Sequence, residues 1–355
     1  MAIRKITVSR DESIYEAWPD VAMTNSGKLI AIFTECEHHL NRDKSRLVLI
    51  ESYDRGETWG EKIYFSERED GGSQHTVSGK PHYNCARIGK LKSGKMYIIC
   101  DRIYGQEYLK SEIYVWIGNE EGTEWSEPIL VPLTGIVPDK ITELDSGRII
   151  VAAHFGHPET KKLTQYLVYS DDGMKTWSKP VTVAYDPALN LCEVSILKHE
   201  GALVAFLREN SNKGYDIFKT ISYDNGETWS PIYNTPMDAG HRPVSGKLLD
   251  GRTMVTYRFI PRGTTNVFSA ILNSDDLLKT DRQAQRIRVM PLDYDRNPSP
   301  DIGYTGWVQF DDGEIFVINY IKDDAEKAFI RGYKFRPEDI ELPATANTSK
   351  NVFNT

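Results

Sequence analysis

The sequence predicts an all-β chain folded as a six-bladed β-propeller, with four antiparallel strands in each blade. Two landmarks repeating along one chain predict it. The first is an eight-residue box, Ser222-Tyr223-Asp224-Asn225-Gly226-Glu227-Thr228-Trp229, nearly duplicated as Ser52-Tyr53-Asp54-Arg55-Gly56-Glu57-Thr58-Trp59. A third copy, Ser170 to Trp177, has its glycine one place early. Worn copies start at Gly118 and Asn273, so the boxes recur about every 50 residues, the signature of a repeat architecture. The second landmark is a polar turn with glycine between two apolar runs. It occurs at Asn25-Ser26-Gly27, Lys92-Ser93-Gly94, Asp145-Ser146-Gly147, His199-Glu200-Gly201, Leu249-Asp250-Gly251 and Asp311-Asp312-Gly313. Six turns mean six units.

Each element follows from local chemistry. After each glycine comes a β-rich run, such as Leu29 to Phe33, Met96 to Cys100 or Leu203 to Leu207. Short apolar runs bounded by turn residues are strands. Third strands follow at Arg46 to Ile50, Gln165 to Tyr169 and Ile217 to Ile221, and a fourth at Ile129 to Val131. In the box, Asp accepts bonds from backbone amides, Gly takes a positive φ, and Trp opens the next strand. Turn chemistry therefore explains the box without a ligand. The sixth unit lacks a clear box, so Ile3 to Val8 is expected to supply the outer strand of the last blade. Residues 1–343 read as one propeller domain and 344–355 as a polar tail.

Composition bounds the function. Of the 355 residues, 40% are hydrophobic and 11% aromatic, enough for an all-β core. The net charge of −8 argues against a nucleic-acid partner. No apolar run approaches a membrane span. The opening residues carry no export-signal pattern, which points to a cytoplasmic location, and Cys36, Cys85, Cys100 and Cys192 then read as buried thiols. No metal-ligand spacing appears, and no cofactor is expected.

Hairpin geometry locates a candidate site. Residues equally far before and after each glycine turn meet at the other end of the hairpin, around one mouth of the propeller. The predicted pairs are Asp20 with Thr34 and Glu35, Asn84 and Cys85 with Asp101 and Arg102, and Asp139 with His154. The others are Glu193 with Arg208, Arg242 with Arg258, and Tyr304 with Tyr320. Arginines, carboxylates, His and Tyr converging on a concave opening suit a polar ligand.

Six blades with Ser-X-Asp-X-Gly-X-Thr-Trp boxes resemble the sialidase (neuraminidase) superfamily over nearly the whole chain. That resemblance implies a Tyr nucleophile assisted by a Glu, an Asp acid/base on an early loop, and arginines on the substrate carboxylate. Tyr304 in Gly303-Tyr304-Thr305-Gly306 looks like the nucleophile and Glu193 like its assistant. Asp43 resembles the acid/base. Arg208 matches one family arginine, and Arg262 or Arg258 another. Two departures stand out. The family's Arg-Ile-Pro run is replaced by Ala17-Trp18-Pro19-Asp20, and its arginine-steadying Glu is replaced around Asn319-Tyr320-Ile321.

The implied function is an exo-acting glycoside hydrolase that removes a terminal, acidic sugar from a glycan. For a neutral sugar, Asp20, Asp139 and Glu193 offer carboxylates instead. The alternatives are a uronate-specific polysaccharide lyase using His154 or His241 with a Tyr, and a non-catalytic glycan-binding propeller.

Overall fold

The computed structural model describes residues 3–72, 80–104, 111–261 and 265–340. It is a six-bladed β-propeller, and the only α-helix among these residues is Pro337–Ile340. The tail expected over 344–355 lies outside the described residues.

Blade one is Tyr15–Met23, Leu29–Cys36, Arg46–Ser52 and Ile63–Tyr64, hydrogen-bonded in that order. Blades three to five repeat the pattern. In blade two the innermost strand is split into Pro81–Tyr83 and Arg87–Lys90, both paired with Met96–Tyr104. Blade six is Ile302–Gln309, Ile315–Ile321 and Phe329–Phe335, and Arg4–Ser9 adds to it as the fourth strand, antiparallel to Phe329–Phe335. The first strand of the chain therefore closes the ring onto the last, leaving no open seam between the ends of the repeat.

The second strand of each blade is sandwiched within the ring, which is why these strands read as continuous apolar runs rather than alternating ones. Leu29–Cys36 is buried throughout. Apolar clusters form between neighbouring blades: Ile30, Ile32, Leu47 and Leu49 of blade one pack with Ile88, Met96 and Ile98 of blade two. Burying each such side chain stabilises the fold by about 1.5–3 kcal/mol, an upper figure because unfolded chains already bury some surface.

The boxes are turns that lean on the preceding blade. Asp54 takes the Thr58 N–H at 2.9 Å and the Thr58 hydroxyl at 2.5 Å, while Ser52 Oγ takes the Gly56 N–H at 2.8 Å. The Ser222 and Ser170 boxes repeat this network. Two successive residues take the left-handed conformation: Arg55-Gly56, Asn225-Gly226 and Gly173-Met174. Glycine can occupy either place, which explains its early position in the third box. Gly56 could not carry a side chain, since a Cβ there would lie 2.7 Å from the Phe316 ring of blade six. All four cysteines are free and buried.

Candidate active site

The site is built by one irregularity repeated around the ring. In blade one, Ala17 pairs with Thr34 but Asp20 pairs with Ile32, so the inner strand holds one residue more than its partner. The same extra residue follows Cys192–Arg208, His241–Arg258 and Gly303–Tyr320. Blade two has it between Tyr83–Arg102 and Arg87–Ile99. Blade three has it after the Ile136–His154 bridge, since the Asp139 amide bonds Ala152. These are β-bulges, which re-aim side chains. At five of the six a residue other than glycine has positive φ: Trp18 (53°), Val137 (51°), Glu193 (31°), Arg242 (50°) and Tyr304 (49°). Each such residue costs on the order of 1–3 kcal/mol, and strain of this kind concentrates at functional sites.

The bulges shift the predicted pairings. Equal counting from the glycine turn placed Glu193, Arg242 and Tyr304 opposite Arg208, Arg258 and Tyr320; in the structure their preceding neighbours Cys192, His241 and Gly303 hold those places. Asp20 sits opposite Ile32 rather than Thr34 and Glu35. The signal was in the sequence. Trp18-Pro19 and Arg242-Pro243 each put a proline inside a strand, where only a bulge or an edge tolerates it, and Val137-Pro138 puts one just after the Ile136 bridge.

Three bulges, those of blades four, five and six, deliver one cluster. The Tyr304 hydroxyl donates to Glu193 Oε1, and Glu193 Oε2 accepts from Arg208 Nη1 at 2.7 Å. All three lie deep in the central hollow; Glu193 is 3% exposed and Tyr304 9%. Burial pushes the Glu193 pKa up, but the charges of Arg208 and Arg242 outweigh it and hold the carboxyl well below the usual range. Burial, reinforced by the Glu193 charge, holds the Tyr304 phenol well above 10, against the opposing pull of Arg208 and Arg258. In the free protein the phenol is therefore protonated and Glu193 ionised. Arg208 binds Asn210 Oδ1 at 2.5 Å with its other terminal nitrogen. The guanidinium groups of Arg258 and Arg242 lie 5.4 and 5.6 Å from the centre of the Tyr304 ring.

A second group adjoins the first. Tyr320, 6.4 Å from Tyr304 between ring centres, donates to Asp301 Oδ1 at 3.0 Å. Asp301 Oδ2 takes the Tyr15 hydroxyl and meets His39 Nδ1 at 2.7 Å. Burial would raise the Asp301 pKa; the His39 hydrogen bond and charge and the Tyr15 hydroxyl bring it down to about 2. Trp18 packs beside Tyr320 and His39, and the Arg42 guanidinium carbon sits over its ring, 3.7 Å from the centre.

His154 Nδ1 accepts the Glu193 backbone N–H at 3.3 Å, and burial lowers its pKa to about 4, so the ring is neutral. Burial, with Arg208 and Arg258, lowers His241 to about 2. Asp20 and Asp139 are spent within the wall. Asp20 takes the Ile88 N–H at 3.0 Å and ion-pairs with Lys140 at 3.0 Å and Arg87 at 3.3 Å. Asp139 takes the Ile196 N–H at 2.8 Å. Both fasten one blade to the next. Arg242 binds the carbonyls of Pro138 and Val194, each at 3.2 Å. Arg87 does the same for Thr305. Arg102 is paired with Glu69 at 2.6 Å. Asp43 takes the Gly72 N–H at 2.9 Å at the rim of blade one. Arg262 lies outside the described residues. Arg42, Trp18, Asp301 and His39 were not singled out by sequence reasoning. Arg42 stands next to Asp43, and Trp18 lies in the Ala17-Trp18-Pro19-Asp20 run.

A buried, arginine-lined hollow around a Tyr–Glu pair, carried on six blades, defines a sialidase-like β-propeller. The sequence profile described as "BNR repeat-like domain" matches residues 73–261, more than half of the chain, and the chain belongs to that family. Its fold is similar to that of a protein of unknown function from Dyadobacter fermentans, at TM-score 0.75 and 21% identity over 94% of this chain and 98% of the other. It also resembles the Hadza microbial sialidase Hz136, at TM-score 0.67 and 16% identity over 93% and 67% of the two chains. The intramolecular trans-sialidase from Ruminococcus gnavus, solved with oseltamivir carboxylate, gives TM-score 0.68 and 14% identity over 93% and 96%. At these identities the likeness establishes the fold alone. No curated protein matches the sequence.

Proposed function

We propose that the protein is an exo-acting glycoside hydrolase of sialidase type that cleaves a terminal acidic sugar from a glycan. The observation that carries this reading is the buried Tyr304–Glu193–Arg208 chain of charge-assisted contacts. Glycoside cleavage builds positive charge on the anomeric carbon, and one group must attack or stabilise it. A tyrosine does this without setting a carboxylate against an anionic sugar. Tyr304 attacks while Glu193 accepts its proton. That transfer is uphill in the free protein, because the phenol is weakly acidic and Glu193 is a weak base. Developing cationic charge on the sugar stabilises the phenolate and makes the transfer feasible in the transition state. Arg208 and Arg258 hold the acidic substituent, and Asp43 at the rim protonates the leaving oxygen. The Asp43 role needs its carboxylate to turn away from Gly72 when substrate enters.

The test is release of sugar from sialosides and uronate-containing glycans by the purified chain. Tyr304→Phe and Glu193→Gln should each abolish release with the fold intact. Unchanged turnover in either variant would reject its role.

A further inference from the structure

We propose that Arg42, braced on the indole of Trp18, is an anion-binding group of this hollow and takes the carboxylate of the bound sugar. Arg42 is 7% exposed, yet among the described residues no carboxylate lies within ion-pair distance of it. The one hydrogen bond of its side chain to the described residues is a weak contact of Nη1 with the Cys36 sulfur at 4.0 Å. Burial holds the Cys36 thiol up at about 11, so it supplies no negative charge. The neighbouring Asp43 directs an oxygen to the Gly72 N–H instead. Three arginines at this end of the propeller are ion-paired, Arg46 with Glu35, Arg102 with Glu69 and Arg208 with Glu193, while Arg242 holds two backbone carbonyls and Arg258, like Arg42, faces the hollow with no ion pair among the described residues. A buried guanidinium without a counter-charge is costly, and a protein retains one where a ligand brings the charge.

The surroundings fix what kind of anion fits. One face of the guanidinium lies against Trp18, 3.7 Å from the ring centre. A stacked guanidinium keeps its edge free, and that edge matches the two oxygens of a carboxylate. Trp18 is itself turned inward by the blade-one bulge, with φ of 53°. Its other neighbours, Tyr320 and His39, link it to the Tyr304 cluster. The charge of Arg42 is felt at the Cys85 thiol, as is that of Glu193, and Cys85 in turn acts on Tyr304. Blade one thus offers a guanidinium to the hollow from its outer loop, across an aromatic brace. The identification of the ligand as a sugar rests on the proposed function; the need for an anion rests on Arg42 itself.

The test uses the full chain in calorimetric titrations with N-acetylneuraminate and glucuronate, each beside its neutral methyl ester, together with thermal unfolding of the free protein. Wild type should bind at least one acid well above its ester. Arg42→Met should lower acid binding by about 10- to 100-fold and leave ester binding unmoved. The free Arg42→Met protein should unfold no earlier than wild type, because no ion pair is lost; Arg42→Lys should recover part of the acid binding. If Arg42→Met binds the acid as wild type does while Arg208→Met loses it, this inference falls and the proposed function stands. If acid and ester binding fall together with the melting temperature, Arg42 is structural and the inference also falls. Wild type binding neither acid overturns both.

Discussion

Tyr304 and Glu193, 111 residues apart and two blades removed, meet hydroxyl to carboxylate in the central hollow, each from a bulged residue of positive φ. Neither bulge alone makes a site. The contact exists because the ring brings the inner strand of blade six to face that of blade four.

That contact predicts strong non-additivity. Tyr304→Phe and Glu193→Gln should each lower kcat by at least about a thousandfold, and the double variant should be little worse than either. Steady-state rates of the three variants on an aryl glycoside of an acidic sugar check this. Losses that multiply would mean the two residues act independently.

Asp20 is expected to matter for stability. It is fully buried and holds Lys140, Arg87 and the Ile88 amide. Asp20→Ala leaves buried Arg87 and half-buried Lys140 without their partner and should cost about 3–5 kcal/mol in urea unfolding. A change under 1 kcal/mol would show that the wall does not depend on it.

The box residues should affect stability and nothing else. Asp224→Ala removes the acceptor of the Thr228 N–H, at 2.8 Å, and of its hydroxyl, and should cost about 1–2 kcal/mol. Ligand binding and turnover should match wild type, and a selective loss of either would give the box a functional role.

Buried histidine sets a pH dependence. His154 titrates near 6.5 when unfolded and near 4 in the folded chain, lowered by burial. Between these values the unfolded chain binds more protons, so stability rises with pH and is fully present above about 6.5. The contribution reaches about 3 kcal/mol. Unfolding midpoints from pH 4.5 to 7.5 should climb in wild type, and less steeply in His154→Gln. Equal slopes would remove His154 from the account.

The architecture was legible because its signals are local. Ser222 to Trp229 is a turn whose every fixed residue makes a bond within the box or packs against the preceding blade. The closing strand was legible because the sixth repeat lacks a box and the chain opens on a β-rich run. The site was legible only in part. Glu193, Arg208 and Tyr304 were found from hairpin counting and resemblance, and they do meet. Asp20 and Asp139 were expected at the mouth but lie in the wall, because counting assumes regular ladders and each inner strand carries an extra residue. Arg42 escaped because its position depends on how a loop folds back over Trp18, which no period or spacing encodes.

The most direct measurement is the mass of the Tyr304 peptide after the enzyme is stopped during turnover of a slowly hydrolysed fluorinated acidic glycoside. The account predicts one added sugar on Tyr304, absent in Tyr304→Phe. Turnover with the label on Glu193 or Asp43, or with Tyr304 unmodified, would contradict it.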